Sequence, residues 1–487
     1  MMTKSNFVTI FLLLGSFALI TLAADKPDQI IELFRHGARG PLGPQDDSWS
    51  LNEWGVLTPV GMRQQYILGK VLSERYPQTF NDPYNYSQIY MISDVTPRCI
   101  QSAVTQLYGM YLGTGPALNS SYPRNLAVPP YQDARVQSIA NSLANSEAIP
   151  YNNIPEIINI VDSTNAVIFQ GDTGLYCPNY VDWLEQNEDN AGAKRGFEVF
   201  GTTLDNLNKL LPSDQRVNTT SDIVSYGDSM MVDIYDNRTL PHGVTDPVLI
   251  ANLTHAFSYF AFHSWSGQQE QTQLAAYNLV QAFLDQIQAF RQGNGYKAAL
   301  YSGHDDNIYA VLGAFGVVTE DCLVDNFNSY LQNGTRVHPA CFFPFFASNI
   351  IIEFYNSTDA PYVKVLYNNI ALPLCNGNYA CPLEDFFIFA KNATGNNTSE
   401  SYKKNCGVKP PVESETKPAA RNALNQASTH HSSGIQINTS TVALVAMTIL
   451  CVVLSVKVTK DNKKYKNLLN KVECEKMLYE RLTEVRV

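Results

Sequence analysis

Ile30-Ile31-Glu32-Leu33-Phe34-Arg35-His36-Gly37-Ala38-Arg39-Gly40-Pro41 is a short, largely apolar run that stops in Arg-His-Gly-x-Arg-x-Pro. Arg35 and Arg39 flank His36 at the point where a buried strand should end. Like charges this close repel unless an anion comes between them. Arginine forks match phosphate oxygens in pairs, and a histidine held among them can serve as nucleophile or acid. Gly37 permits close backbone approach to a ligand, and Pro41 fixes the turn. A solvated basic turn is the plainer reading, and the length of the motif argues against it.

Outward from this segment the chain alternates strands and helices. Residues 28–34 read as strand, and Thr58-Pro59 caps a helix running to about Tyr76. A second strand, Ile89 to Ser93, leads into a helix from Cys99 to Leu112. A third, Lys297 to Ser302, precedes a helix from about Asn307 to Phe315, and 349–355 with 363–367 alternate like an antiparallel hairpin. Such alternation predicts an α/β sheet flanked by helices. Residues 123 to about 230 break the rhythm and read as an inserted, mostly helical cap with a helix near Ala193 to Leu211.

Three of the strands end in unusual polar residues. They are Arg35-His36-x-x-Arg39, then Ser93-Asp94-Val95-Thr96-Pro97-Arg98, then Gly303-His304-Asp305. In an open α/β sheet ligands bind beyond the carboxyl ends of the strands. If those ends are neighbours, three arginines, two histidines and a carboxylate converge. That set suits phosphoryl transfer from a monoester. Fixed cations neutralise the phosphoryl oxygens, a neutral histidine attacks, and a carboxylic acid protonates the leaving group. His242, His255, His263 and His338 are isolated and read as packed or surface residues, and the run Phe342 to Phe346 reads as core packing.

The 487 residues are 45% hydrophobic and carry a net charge of −11, which allows a large core and argues against nucleic acid as a partner. Lys4 followed by the apolar stretch Phe7 to Ala23 predicts a secretory signal, residues 1–23. Residues 407–438 are a polar stalk, 439–456 an apolar segment fit to span a bilayer, and 457–487 a lysine-rich cytoplasmic tail. Asn-x-Ser/Thr acceptors recur from Asn85 to Asn438 and none follows the span. This predicts a single-pass type I membrane protein whose bulk, residues 24–406, is lumenal or extracellular. Of nine cysteines, Cys451 and Cys474 belong to the span and tail. Cys375 with Cys381, Cys322 with Cys341 and Cys177 with Cys406 are one pairing, leaving Cys99 alone; spacing by itself does not fix connectivity. No sequence spacing suggests a metal centre, and no cofactor is expected.

RHGARGP, LTPVGMRQQYILGKVLSERY, SDVTPR and GHD, in this order, resemble the histidine acid phosphatases over most of residues 28–406, in the membrane-anchored, lysosomal-type arrangement. The resemblance implies a phosphoglycerate-mutase-like α/β sheet with a helical cap. It implies His36 as the nucleophile forming a phosphohistidine, Arg35, Arg39, Arg98 and His304 as phosphate ligands, and Asp305 as proton donor. The loop LPLCNGNYACPLEDFF and a Cys177–Cys406 clasp fit the family's disulfides, and dimers occur in the family. Ala38 stands where close animal relatives carry Asp, and Asp306-Asn307 follow the His-Asp pair in place of small hydroxyl residues. Within the resemblance, a broad monoesterase, a narrower inositol-phosphate or lysophospholipid phosphatase and a non-catalytic surface receptor stand as alternatives. The cap holds few basic residues, which disfavours a highly charged substrate.

Overall fold

The computed structural model describes residues 26–408, apart from 43–48, 51–52, 81–83, 112–137, 139–157, 162–166, 172 and 359. The signal segment, the stalk beyond 408, the 439–456 span and the tail lie outside the described residues. Among the described residues no helix is long and apolar enough to cross a membrane.

Strand β1 (Gln29–Arg35) is buried along its whole length, because helices cover both faces of the sheet around it. Helix α1 (Pro59–Arg75) begins at Thr58, whose side chain accepts from the Gly61 amide, with Pro59 in the first turn. Strand β2 (Ile89–Ser93) leads into α2 (Pro97–Tyr111), two residues earlier than the periodicity suggests. A short β3 (Asn159–Ile160) precedes a run of helices whose longer members are α3 (Pro178–Gln186), α4 (Ala191–Asn208), α5 (Thr220–Tyr235), α6 (Pro247–Ser266) and α7 (Gln269–Arg291). The helical stretch therefore does not stop near residue 230. The chain then returns to the sheet as β4 (Ala298–Gly303), followed by α8 (Asp305–Ala314) and α9 (Glu320–Asn333). Strands β5 (Asn349–Tyr355) and β6 (Tyr362–Tyr367) form the expected hairpin. Short β7 (Ile370–Ala371) and β8 (Cys381–Pro382), then α10 (Leu383–Ala393) and α11 (Ser399–Asn405), complete the described residues.

The strand order is β3-β2-β4-β1-β5-β6-β7, with β8 beside β6. The four strands β3, β2, β4 and β1 are parallel, and β5 to β8 are antiparallel to their neighbours. One face packs Ile30, Phe34, Ala298 and Leu300 against Leu72, Leu107 and Met110 of α1 and α2. The other packs Ile31, Leu33, Ala299 and Tyr301 into the large core shared with the later helices. Helices α1 and α2 cross at glycines: a Cβ on Gly69 would sit 2.1 Å from the Gln106 carbonyl oxygen, and one on Gly109 2.1 Å from that of Tyr66. Disulfides join Cys177 to Cys406, Cys322 to Cys341 and Cys375 to Cys381, and Cys99 is buried without one.

Glu32 lies inside the α1/α2 face and accepts from Gln106 Nε2 at 2.9 Å and Asn349 Nδ2 at 2.6 Å. Burial pushes its carboxyl up to about 7, against these hydrogen bonds. The folded value exceeds the unfolded one, ~4.3. Its contribution to stability is therefore fully present below that unfolded value and is lost as pH rises through about 7. In Glu32→Gln this pH dependence, about 3 kcal/mol between acid and mildly alkaline conditions, is expected to vanish. Urea unfolding free energies at pH 4 and pH 8 measure it, and an unchanged difference would remove Glu32 as its source.

Candidate active site

Because β4 lies between β2 and β1, the three polar strand ends stand side by side. Arg35 pairs in register with Gly303, and Ser93 with Ser302. The His36 amide donates to the Gly303 carbonyl at 3.0 Å, and the Asp94 amide to that of Ser302 at 3.1 Å. The loop after β1 is fixed from two helices. Gln65 Nε2 donates to the Arg35 carbonyl at 2.8 Å, Gln64 Oε1 accepts from the Ala38 amide at 2.8 Å, and Ser102 Oγ accepts from the Gly37 amide at 3.1 Å. A Cβ on Gly37 would lie 2.4 Å from the Gly61 carbonyl oxygen, so no larger residue fits at this contact.

His36 is 1% exposed, and its Nδ1 lies 2.8 Å from the Gly37 carbonyl oxygen. A carbonyl only accepts, so Nδ1 carries the proton and Nε2 keeps its lone pair. Burial, and then the charges of Arg98, Arg35, His304 and Arg39, hold the imidazole pKa well below the ordinary histidine range. The ring thus keeps its neutral form to lower pH than an ordinary histidine does.

Arg35 donates to the Pro344 carbonyl and pairs with Asp305 Oδ2, each at 2.8 Å, while its guanidinium stacks on Phe346 at 4.2 Å. Arg39 holds both oxygens of Asp228, at 2.8 and 3.1 Å, and the Gly40 carbonyl. Arg98, at the more open side, approaches His304 Nδ1 at 3.4 Å. The Nε–H of Arg35, Arg39 and Arg98 is buried with no hydrogen-bond partner among the described residues. His304 is the residue before α8, its Nε2 lies 3.2 Å from Asp94 Oδ1, and its ring centroid lies 5.5 Å from that of His36. Burial opposes its charge, but Cys99 and the hydrogen bond to Asp94 outweigh burial and raise it well above the usual histidine value. Asp305 opens α8, where the helix dipole favours a negative charge. Burial would raise its carboxyl, yet Arg35, Arg39 and His304 together bring it below the ordinary aspartate value.

All six residues singled out in the sequence (Arg35, His36, Arg39, Arg98, His304 and Asp305) thus meet at one end of the parallel strands. Three partners were not read there. Asp228 comes from α5, and no local motif marks it. Asp94 lies inside SDVTPR, and its role emerges only once His304 is beside it. Phe346 is packed as the aromatic run suggests, but against Arg35 and, at 5.8 Å, His36. The following Ala347 takes φ +62° and donates its amide to the His36 carbonyl, a left-handed turn that costs a side-chain-bearing residue ~1 kcal/mol. Of the other histidines, His255 lies among Phe327, Tyr330 and Phe342, and His263 bonds Glu320 and the Asn187 carbonyl.

Prostatic acid phosphatase of Mus musculus is 25% identical over 402 residues, 78% of this chain and 91% of its own length. Lysosomal acid phosphatase of Xenopus laevis is 26% identical over 389 residues, 76% of this chain and 77% of its own. Among solved structures, a phytase from a Klebsiella species superposes with a TM-score of 0.52 at 13% identity, covering 77% of this chain and 97% of that one, a likeness of fold. The description of the histidine phosphatase superfamily, branch 2, matches residues 28–368, and with the arginine-flanked His36 and the His304-Asp305 pair in place the chain belongs to that superfamily.

Proposed function

We propose that this protein hydrolyses phosphate monoesters through a phosphohistidine on His36, with Asp305 as proton donor. The observation that carries the reading is the set of three unpartnered guanidinium Nε–H groups around a histidine whose Nε2 lone pair is free. A phosphate oxygen is an acceptor suited to such donors. Nε2 attacks phosphorus, the P–O ester bond breaks, and Asp305 gives its proton to the leaving alkoxide. Water then attacks the phosphohistidine with Asp305 as base, releasing phosphate and restoring the neutral ring. A phosphoryl group drawing Arg35 away from Asp305 lets that carboxyl take up the proton it must donate, which favours acid conditions. At the alkaline end, loss of the raised His304 proton removes a positive donor from the cluster.

Asp305 also argues against a receptor that only binds phosphate. A carboxyl group in an anion site opposes binding while ionised, but once protonated it is the donor a leaving alkoxide needs. A broad monoester substrate is favoured over a polyanion: cap residue Arg195 is paired with Asp321 and Lys209 is bonded to Asn206, both on exposed helix surfaces. Three disulfides suit an oxidising compartment. They support the proposal that this region is a lumenal or extracellular, glycosylated domain, lysosome-like or at the cell surface, anchored by the 439–456 segment.

The test is hydrolysis of p-nitrophenyl phosphate by the full-length chain from acid to mildly alkaline pH. Acid-side turnover is expected; no phosphate release from this ester or from alkyl phosphates would end the reading. Asp228→Ala strips Arg39 of its carboxylate and should lower kcat/KM about 10- to 100-fold, the worth of a charged hydrogen bond. A change under about twofold would mean that the Gly40 carbonyl alone positions Arg39.

A further inference from the structure

Beside the phosphate cluster lies a second grouping that the reaction does not use as a unit. Asp94 follows β2, Cys99 lies in the first turn of α2, and His304 follows β4. Their ligand atoms all lie within 4.8 Å of one another. Cys99 Sγ is 3.6 Å from His304 Nε2, which is 3.2 Å from Asp94 Oδ1. A tetrahedral zinc ion with Zn–S of ~2.3 Å and Zn–N or Zn–O of ~2.0–2.1 Å requires its ligand atoms about 3.4–3.6 Å apart. The His304–Cys99 and His304–Asp94 separations stand within a few tenths of an ångström of that spacing, and since Sγ also lies 3.9 Å from His304 Nδ1, a small turn of the ring aims the Nε2 lone pair at an ion between them.

The setting is rigid. The Ser302 hydroxyl donates to the Cys99 carbonyl at 2.8 Å, and Asp94 Oδ1 accepts from the Thr96 amide at 3.0 Å, an outer partner that orients the carboxylate. Cys99 is completely buried and outside the three disulfides. A thiolate, an imidazole and a carboxylate form a set that favours zinc over magnesium or calcium. The two anionic ligands balance the charge of the ion, so neighbouring Arg98 faces no added net charge. Sequence spacing conceals the group, since its members are residues 94, 99 and 304.

We propose that Asp94, Cys99 and His304 form an inhibitory zinc site. Zinc there takes Nε2 of His304, whose ring stands 5.5 Å from that of His36, and breaks its hydrogen bond to Asp94. With Nε2 held by the ion, His304 no longer donates from that atom within the phosphate cluster, and turnover falls. Binding requires no substrate; inhibition rests on the phosphatase reading.

Two measurements on the full-length chain carrying Cys451→Ser and Cys474→Ser separate these parts. With cobalt(II) as optical probe, one equivalent should give a thiolate-to-cobalt charge-transfer band that is absent when Cys99→Ser is added. Zinc should inhibit p-nitrophenyl phosphate hydrolysis reversibly to EDTA, assayed at the highest pH that still gives turnover, because metal binding releases protons. Measured against its own zinc-free rate, Cys99→Ser should need at least about tenfold more zinc for half-inhibition, since a direct ligand matters no less than an outer-shell one. Cys99→Ala serves if the serine variant does not fold. No cobalt band, a band that survives without Cys99, or equal zinc sensitivity with and without the thiol each overturns the site. An inactive wild type leaves the cobalt result to decide the site alone.

Discussion

His36→Ala is expected to lower kcat for p-nitrophenyl phosphate by on the order of 10⁴-fold or more, because the group that accepts the phosphoryl unit is gone. The arginines remain, so inorganic phosphate should still bind. Wild type quenched in alkali during turnover should retain a covalent phosphoryl group, since a phosphoramidate survives base, and the variant should retain none. The ring is buried and shares a small cluster edge with Phe346, so the fold should tolerate its loss. Residual activity within tenfold of wild type would exclude His36 as the nucleophile.

Asp305→Ala should act in a way that depends on the leaving group. An alkoxide needs a proton as the ester bond breaks, whereas p-nitrophenolate leaves readily without one. Hydrolysis of alkyl phosphates is expected to fall about 10²- to 10⁴-fold, the usual contribution of a positioned acid. With p-nitrophenyl phosphate the first half-reaction survives and the second lacks its base, so a burst of about one equivalent of nitrophenolate should precede slow turnover. Equal losses on both esters with no burst would assign Asp305 to holding Arg35, its partner at 2.8 Å, and not to proton transfer. Removing this carboxylate also frees Arg35, so phosphate binding should tighten as kcat falls.

The strands and the six site residues were legible because the signals are local. Apolar runs end abruptly in charged or glycine residues, and Thr58-Pro59 carries a complete helix start. His304 hid the start of α8 from periodicity, since the helix begins at Asp305 and not at Asn307: polar residues in a first turn carry no apolar repeat. Asp228 could not be read at all. It reaches Arg39 across 189 positions, and a lone aspartate on an amphipathic helix looks like any solvated one. The same holds for the Asp94–Cys99–His304 group, whose members belong to two separate motifs. The helical stretch beyond residue 230 was underestimated for the opposite reason. Helix α6 is apolar around most of its circumference, so it gives little periodic contrast with its surroundings.

The order β2-β4-β1 sets when this protein can first act during its synthesis. Among the described residues strand β1 pairs with β4 and β5 alone, and β2 with β3 and β4 alone. A growing chain that has not yet delivered residues 298–303 therefore holds Arg35 and Arg39 at the end of β1, and Arg98 after β2, with no strand to bring them together. The anion pocket is completed late, from segments more than 200 positions apart, and closing so long a loop makes assembly slow. Chains arrested before Ala298 should neither retain phosphate nor hydrolyse esters, so the newly made protein stays silent towards phosphate esters until well over half of its length has emerged.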